Sequence, residues 1–63
     1  MPARVLVIED NAANLDLMIY LLAAFGHTTF AATDGEEGLA AAAAQKPDLI
    51  VCDIHMPKLL GLI

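Results

Sequence analysis

Two short apolar runs that each end in acidic residues constrain the fold of this chain most. The first run is Val5–Ile8, in which three of four residues are β-branched, and Glu9 and Asp10 follow it directly. The second run is Leu49–Cys52, which is followed by Asp53. Short and continuously apolar runs are typical of parallel strands that are buried on both faces. Because the carboxyl ends of parallel strands meet at one edge of a sheet, the three acids are expected to converge there.

Periodicity and turn residues predict two helices between three strands. Apolar residues recur at three- and four-residue steps after Asn11, which predicts one apolar stripe that packs on the sheet. Either Asp10 or Asn11 can cap this first helix, and Gly26 fits its left-handed end. The predicted stripe consists of Leu15, Met18, Ile19, Leu22 and Phe25. The predicted elements are a strand at 4–8, a helix at 12–24, a strand at 28–32, a helix at 36–45 and a strand at 49–53.

This alternation predicts an α/β fold with a parallel sheet and right-handed crossovers. With one helix on each face, the strand order is two–one–three and the first strand is central. The second strand is less apolar than the others, so it is placed at an edge. Cys52 lies inside the apolar third strand, so it is expected to pack there without reacting.

Composition excludes several classes of partner. The chain of 63 residues is at most one small domain, and its net charge of −5 includes only three Lys and Arg residues. Binding to nucleic acid or to an anionic membrane needs more positive charge than this. No apolar run approaches the ~20 residues of a membrane span, and the amino terminus lacks a signal-peptide pattern. The sequence therefore predicts a cytoplasmic protein.

The three acids have ordinary roles when each is considered alone. Asp10 could cap a helix, Glu9 could be an exposed loop residue, and Asp53 could cap a turn. Packing gains nothing from three negative charges at one edge of a sheet, and like charges held close together favour binding of a cation. Carboxylate oxygens with room for water are the ligands that Mg²⁺ prefers. The joint placement therefore predicts a divalent metal site.

Three segments of the sequence resemble the first half of a response-regulator receiver domain. They are Val5–Asn11, Ala32–Glu37 and Pro47–Pro57, and they follow one another in the order and spacing of that family. The resemblance covers nearly the whole chain, residues 1–63. It implies a flavodoxin-like (CheY-like) parallel sheet that is truncated to β-α-β-α-β.

The resemblance also implies a chemical role for each acid. Asp53 would be the phosphoacceptor, which takes a phosphoryl group from the phosphohistidine of a histidine kinase or phosphotransfer protein. Asp10 and Asp53 would ligate Mg²⁺ directly, Glu9 would act through water, and the backbone carbonyl of His55 would supply another ligand. By this resemblance the chain is a signalling module and is not an enzyme.

Two departures from the family pattern affect the expected function. Leu60 occupies a position that is usually small or polar in the family, although Gly61 is retained. A complete receiver also has two further strands, which carry a hydroxyl residue, a switch aromatic and a lysine. Lys58 lies in the loop after the third strand and is not expected to replace that lysine. The expectation is a truncated module that is impaired in switching.

Other functions remain open at this stage. The third strand or the apolar tail at 59–63 could form the interface of a homodimer, and the chain would then be an assembly half-domain without phosphotransfer. A flavodoxin-like binder of small molecules is disfavoured, because the acidic edge would repel a phosphate in the absence of metal. His27 and His55 lack metal-ligand spacing and are expected at the surface or in loops.

Overall fold

Five elements alternate along the chain in the computed structural model, which describes residues 2–53. For Asp53 it describes the backbone but not the side chain. They are β1 (Arg4–Glu9), α1 (Ala12–Ala24), β2 (Thr28–Ala32), α2 (Gly35–Gln45) and β3 (Leu49–Asp53). The predicted alternation is confirmed, with β1 and α2 each one residue longer than expected. The predictions for His55, Lys58 and the tail at 59–63 lie outside the described residues.

The three strands form one parallel sheet in the order β2-β1-β3, as predicted. Val5 of the central strand lies opposite Thr29 on one side and Leu49 on the other. At the carboxyl ends, Glu9 lies opposite Asp53. The register therefore brings the ends of the two apolar runs to the same edge of the sheet.

The core is divided between the two faces of β1. Successive side chains of a strand point to opposite faces, so Leu6 and Ile8 share one face while Val5 and Val7 share the other. The first face forms a cluster with Ala32 and packs against the alanines of α2. The second face packs against α1 through the buried Leu15. β1 is thus buried on both sides, as its continuous apolar run predicts.

A close approach between α2 and β1 depends on a glycine. Gly38 is buried and faces Ile8. A Cβ atom at position 38 would overlap Ile8 Cδ1 and lie 3.0 Å from Ile8 Cγ1. The absence of a side chain at Gly38 therefore allows α2 to pack directly on the sheet.

The apolar stripe of α1 ends earlier than the sequence predicts. Met18, Ile19 and Leu22 pack with Leu15 against the sheet, but Phe25 is 78% exposed. Phe25 is the C-cap, with φ −86° and ψ 6°, so the backbone is no longer helical at this residue. The prediction that Phe25 packs on the sheet is therefore wrong.

Side-chain caps fix the start of each helix. Asn11 Oδ1 accepts a hydrogen bond from Asn14 N at 3.0 Å, which assigns the cap of α1 to Asn11. Asp34 Oδ1 accepts from Glu37 N at 2.7 Å at the start of α2. Gly26 follows α1 with the predicted positive φ, 88°. Neither of the helices so bounded has the length and apolar character needed to cross a membrane, within residues 2–53.

β3 forms one edge of the described sheet and is only partly covered. Leu49 and Ile50 are 54% and 48% exposed, and the thiol of Cys52 is free and exposed. The prediction that Cys52 is packed in the interior is therefore wrong, because no element within residues 2–53 covers this side of β3. An apolar groove of about 420 Å³ lies between α2 and β3, and Ile8, Leu39 and Ile50 contribute to its lining.

Candidate functional site

Glu9 is a buried acidic residue of the candidate site. It is the last residue of β1 and is only 2% exposed. Considered alone, the residue was expected in an exposed loop, and that expectation is wrong because β1 continues one residue beyond its apolar run. Glu9 Oε1 accepts a hydrogen bond from Asn11 N at 3.0 Å. The carboxylate is therefore held between the central strand and the start of α1.

Asn11 has a second role that the sequence interpretation missed. Its backbone N–H donates to Glu9, while its side chain caps α1. One residue thus fixes the position of the buried carboxylate relative to the helix. The signal available in the sequence was the direct succession of Glu9, Asp10 and Asn11.

The strand register places Asp53 beside Glu9. Their Cα atoms are partners in the pairing of β1 with β3. Adjacent strands lie about 4.8 Å apart, so the two acids leave neighbouring backbones at the same level of the sheet. Asp10 follows Glu9 immediately and is exposed to solvent. The structure therefore brings the backbones of all three predicted acids to one edge of the sheet.

The donor set at this edge suits a hard cation. Carboxylate oxygens are the groups that Mg²⁺ binds, usually one or two of them together with water. Within residues 2–53, no three His, Cys, Asp or Glu side chains form a metal-binding group. Glu9 and Asp10 supply two carboxylates at the end of β1. The predicted metal site also uses the Asp53 carboxylate and the His55 carbonyl, and it stays a prediction.

Polar residues at the opposite end of the sheet have structural roles. Arg4 N donates to Asp48 Oδ2 at 2.9 Å, and Asp48 N donates to Arg4 O at 2.7 Å. The Arg4 guanidinium lies 4.9 Å from the centroid of the Phe30 ring, which adds a cation–π contact. His27 Nδ1 accepts from Ala3 N at 3.0 Å, so this half-buried histidine links the starts of β1 and β2. These residues hold strand ends together away from the acidic edge.

The sheet order and the acids at the ends of β1 and β3 define a flavodoxin-like α/β domain of the CheY type. The family model described as the response regulator receiver domain matches residues 5–63. The chain therefore belongs to the response regulator receiver domain family.

Named relatives come from several kinds of bacterial protein. The chain is 42% identical over 62 residues to the alkaline phosphatase synthesis transcriptional regulatory protein PhoP of Bacillus subtilis, covering 98% of this chain and 26% of that protein. It is 40% identical to the polar-differentiation response regulator DivK of Brucella anthropi, covering 98% of this chain and 50% of that protein. It is 48% identical to a protein-glutamate methylesterase/protein-glutamine glutaminase of Maricaulis maris, covering 95% and 16% respectively.

The chain thus spans half or less of the length of these three relatives. The similarity to the methylesterase covers only a small part of that protein. No solved structure matches the chain.

Proposed function

We propose that this chain is the phosphoacceptor module of a two-component phosphorelay and that Asp53 receives the phosphoryl group. The donor is the phosphohistidine of a histidine kinase or of a phosphotransfer protein. The observation that carries the proposal is the register of β1 and β3, which pairs Glu9 with Asp53 and sets Asp10 beside them. Membership of the receiver family supports the same assignment.

The chemical step exchanges one phosphorus bond for another. An oxygen of the Asp53 carboxylate attacks the phosphorus in line, while the bond from phosphorus to the donor imidazole nitrogen breaks. The nitrogen leaves with the electron pair, and the imidazole takes up a proton from solvent when its protonation state requires it. The product is an acyl phosphate at Asp53, which adds charge at the edge of the sheet.

The acids at this edge would hold Mg²⁺. Asp10 and Asp53 would ligate the ion directly, Glu9 would contact it through water, and the His55 carbonyl would complete the protein ligands. When bound, Mg²⁺ offsets the negative charge on the phosphoryl oxygens as the donor approaches. The burial of Glu9 and its hydrogen bond from Asn11 supports this assignment, because a carboxylate fixed in orientation can position a metal-bound water.

A small-molecule phosphodonor tests the proposal without the need to know the natural kinase. The chain is incubated with Mg²⁺ and the donor, and its intact mass is measured beside the Asp53→Asn and Asp16→Asn variants. Asp16 is an exposed acid on α1, so its variant is a matched control for loss of one carboxylate. We expect one added phosphoryl group in the unmodified chain and in Asp16→Asn. Equal labelling of Asp53→Asn would contradict the proposal.

A second candidate function, which we also propose for testing, is assembly through the exposed edge at β3. Leu49 and Ile50 are both about half exposed on this strand, and strand edges pair readily with other strands. In this case a two-fold homodimer forms through β3 or through the tail at 59–63. The chain then acts in assembly and takes no part in phosphotransfer. Light scattering at micromolar concentration tests it. A monomer mass together with cooperative unfolding would exclude a stable edge-to-edge dimer.

A further inference from the structure

Asn11 joins the acidic edge to α1 through three hydrogen bonds. Its backbone N–H donates to Glu9 Oε1 at 3.0 Å, and its side-chain Oδ1 accepts from Asn14 N at 3.0 Å. Its backbone carbonyl oxygen accepts from Leu15 N at 2.9 Å. The donor of this one residue therefore holds a carboxylate of the candidate site, while its two acceptors hold the first turn of α1.

The first turn of α1 is also anchored in the core. Leu15 is buried and packs with Val5 and Val7 on one face of β1. Glu9 is the buried last residue of the same strand. A continuous series of contacts thus runs from the Glu9 carboxylate through Asn11 to α1 and back to the central strand. Energetic coupling between two positions is carried by contiguous packing and hydrogen bonds of this kind.

We propose that Asn11 is a positioning residue for the metal site, so that the capping of α1 and the binding of Mg²⁺ stabilise each other. This role rests on the proposed function, in which Glu9 contacts the ion through water. Asn11 has an extended backbone, with φ −94° and ψ 116°, and in this conformation its N–H reaches Glu9 Oε1. Loss of the cap frays the first turn of α1, and the donor then no longer fixes the carboxylate. The coupling is reciprocal, so bound Mg²⁺ also strengthens the cap.

The residue type at the cap of α1 fits this role. Asn, Asp and Ser cap helices about equally well, and an acid gains further from the helix dipole. The start of α2 uses that gain, with Asp34 as its cap and Glu36 and Glu37 in its first turn. The start of α1 has a neutral cap and no acid in its first turn. A neutral cap holds α1 without adding a further negative charge beside Glu9 and Asp10.

The Mg²⁺ affinity of capping variants tests the proposal, by calorimetric titration of samples whose amide spectra show the native dispersion. Asn11→Ala removes the cap and should weaken Mg²⁺ binding about fivefold, the lower range for coupled sites. Asn11→Ser keeps a neutral cap and should bind Mg²⁺ like the unmodified chain. Asp34→Ala is the matched control, because it removes the corresponding cap of α2. Its Mg²⁺ affinity should stay close to that of the unmodified chain.

Amide hydrogen exchange of the unmodified chain measures the reverse effect. Asn14 N and Glu37 N are the donors to the caps of α1 and α2, so the two amides form an internal comparison. Saturating Mg²⁺ should slow exchange at Asn14 by about fivefold, the same factor as the change in affinity. Exchange at Glu37 should not change.

A double variant distinguishes positioning through Glu9 from an independent effect on the ion. Glu9→Gln alone should weaken Mg²⁺ binding about tenfold. Because the cap acts through the Glu9 carboxylate, Glu9→Gln combined with Asn11→Ala should also lose about tenfold in affinity. The product of the two separate losses would show that Asn11 and Glu9 act independently, which overturns the proposal.

Two different results separate the role of the cap from the metal site itself. If the unmodified chain and Asn11→Ala bind Mg²⁺ equally well, the cap has no positioning role and the metal site stands. Equal weakening by Asp34→Ala or by Asn11→Ser, or equal slowing of exchange at Asn14 and Glu37, also overturns the positioning role. If the unmodified chain binds no Mg²⁺, the metal site and the role of Asn11 are both wrong.

Discussion

Glu9 shows how one residue can serve both the fold and the site. It ends the central strand, it is almost fully buried, and its carboxylate accepts from the backbone of the residue that caps α1. An acid in this position has little freedom to move relative to the neighbouring end of β3. The geometry supports an orienting role in metal binding more than a role as a surface charge.

Replacement of Glu9 by Gln tests this role. Glutamine keeps the size of the side chain and an oxygen that can accept from Asn11 N, but it removes the negative charge. We expect Mg²⁺ binding to weaken by about tenfold, the lower range for residues that orient metal ligands. Calorimetric titration with Mg²⁺ gives the dissociation constant.

The matched control for this prediction is Glu36→Gln, the same chemical change at an exposed position of α2. Its Mg²⁺ affinity should equal that of the unmodified chain. If both variants bind Mg²⁺ as the unmodified chain does, Glu9 takes no part in the metal site.

At the level of elements, the structure depends on how closely α2 approaches β1. α2 contributes small residues to this contact, with Ala41 and Ala42 against the cluster of Leu6 and Ile8. Gly38 lies so close to Ile8 that a Cβ atom there would overlap Ile8 Cδ1. The alanine-rich composition of α2 thus fits its place against the sheet, where larger side chains would hold the helix away.

Gly38→Ala should destabilise the fold. Alanine favours a helix over glycine by about 1 kcal/mol, but the added methyl group overlaps Ile8 Cδ1, and overpacking of this kind costs about 1–3 kcal/mol. We expect a net loss of ~1 kcal/mol in the free energy of unfolding, measured by urea denaturation.

Ile8→Val provides the second arm of a double-mutant cycle, because it removes the Cδ1 atom that the new methyl group meets. Alone it should cost ~1 kcal/mol. Combined with Gly38→Ala, the loss should be smaller than the sum of the two, with a coupling of ~1 kcal/mol. Strict additivity would show that the close approach is not responsible.

The start of α2 depends on its cap. Asp34 accepts from the backbone of Glu37, and Glu37 Oε1 in turn accepts from Thr33 N at 3.1 Å. Asp34→Ala should lower the free energy of unfolding by ~1 kcal/mol, since one helix donor loses its partner. Glu36→Ala removes an acid of the first turn that is not the cap of α2. It should lower the free energy of unfolding by only ~0.5 kcal/mol, the contribution of its charge near the helix dipole. Equal losses in thermal or urea unfolding would argue against the cap.

At the scale of the whole molecule, the element order and the strand order follow from local patterns. Continuous apolar runs indicated buried parallel strands, and the right-handed crossover rule then placed β1 in the centre. The predictions that are wrong concern which side chains are exposed to solvent. The burial of Glu9 and the exposure of Phe25 and Cys52 depend on which neighbours cover each face, and the sequence pattern of a single element contains no such information.

The convergence of the acids at one edge of the sheet could be predicted from the same local patterns. Convergence of the two strand ends required only the parallel register, which the structure bears out with Glu9 opposite Asp53. The link through Asn11 was not predictable, because it joins a strand end to a helix cap through the backbone. The exposure of the apolar residues Leu17, Tyr20 and Leu21 on α1 was also missed, although the near absence of charge in that helix was visible in its sequence.

Identification of the modified residue tests directly whether the carboxylate at the end of β3 accepts the phosphoryl group, as we propose. The chain is treated with phosphodonor and Mg²⁺ and then with borohydride, which reduces an acyl phosphate to an alcohol and leaves free carboxylates intact. Peptide mass mapping should find homoserine at position 53 alone, and none when Mg²⁺ is removed by a chelator. Homoserine at position 10, or no reduced residue in a folded sample, would contradict phosphoryl transfer to Asp53.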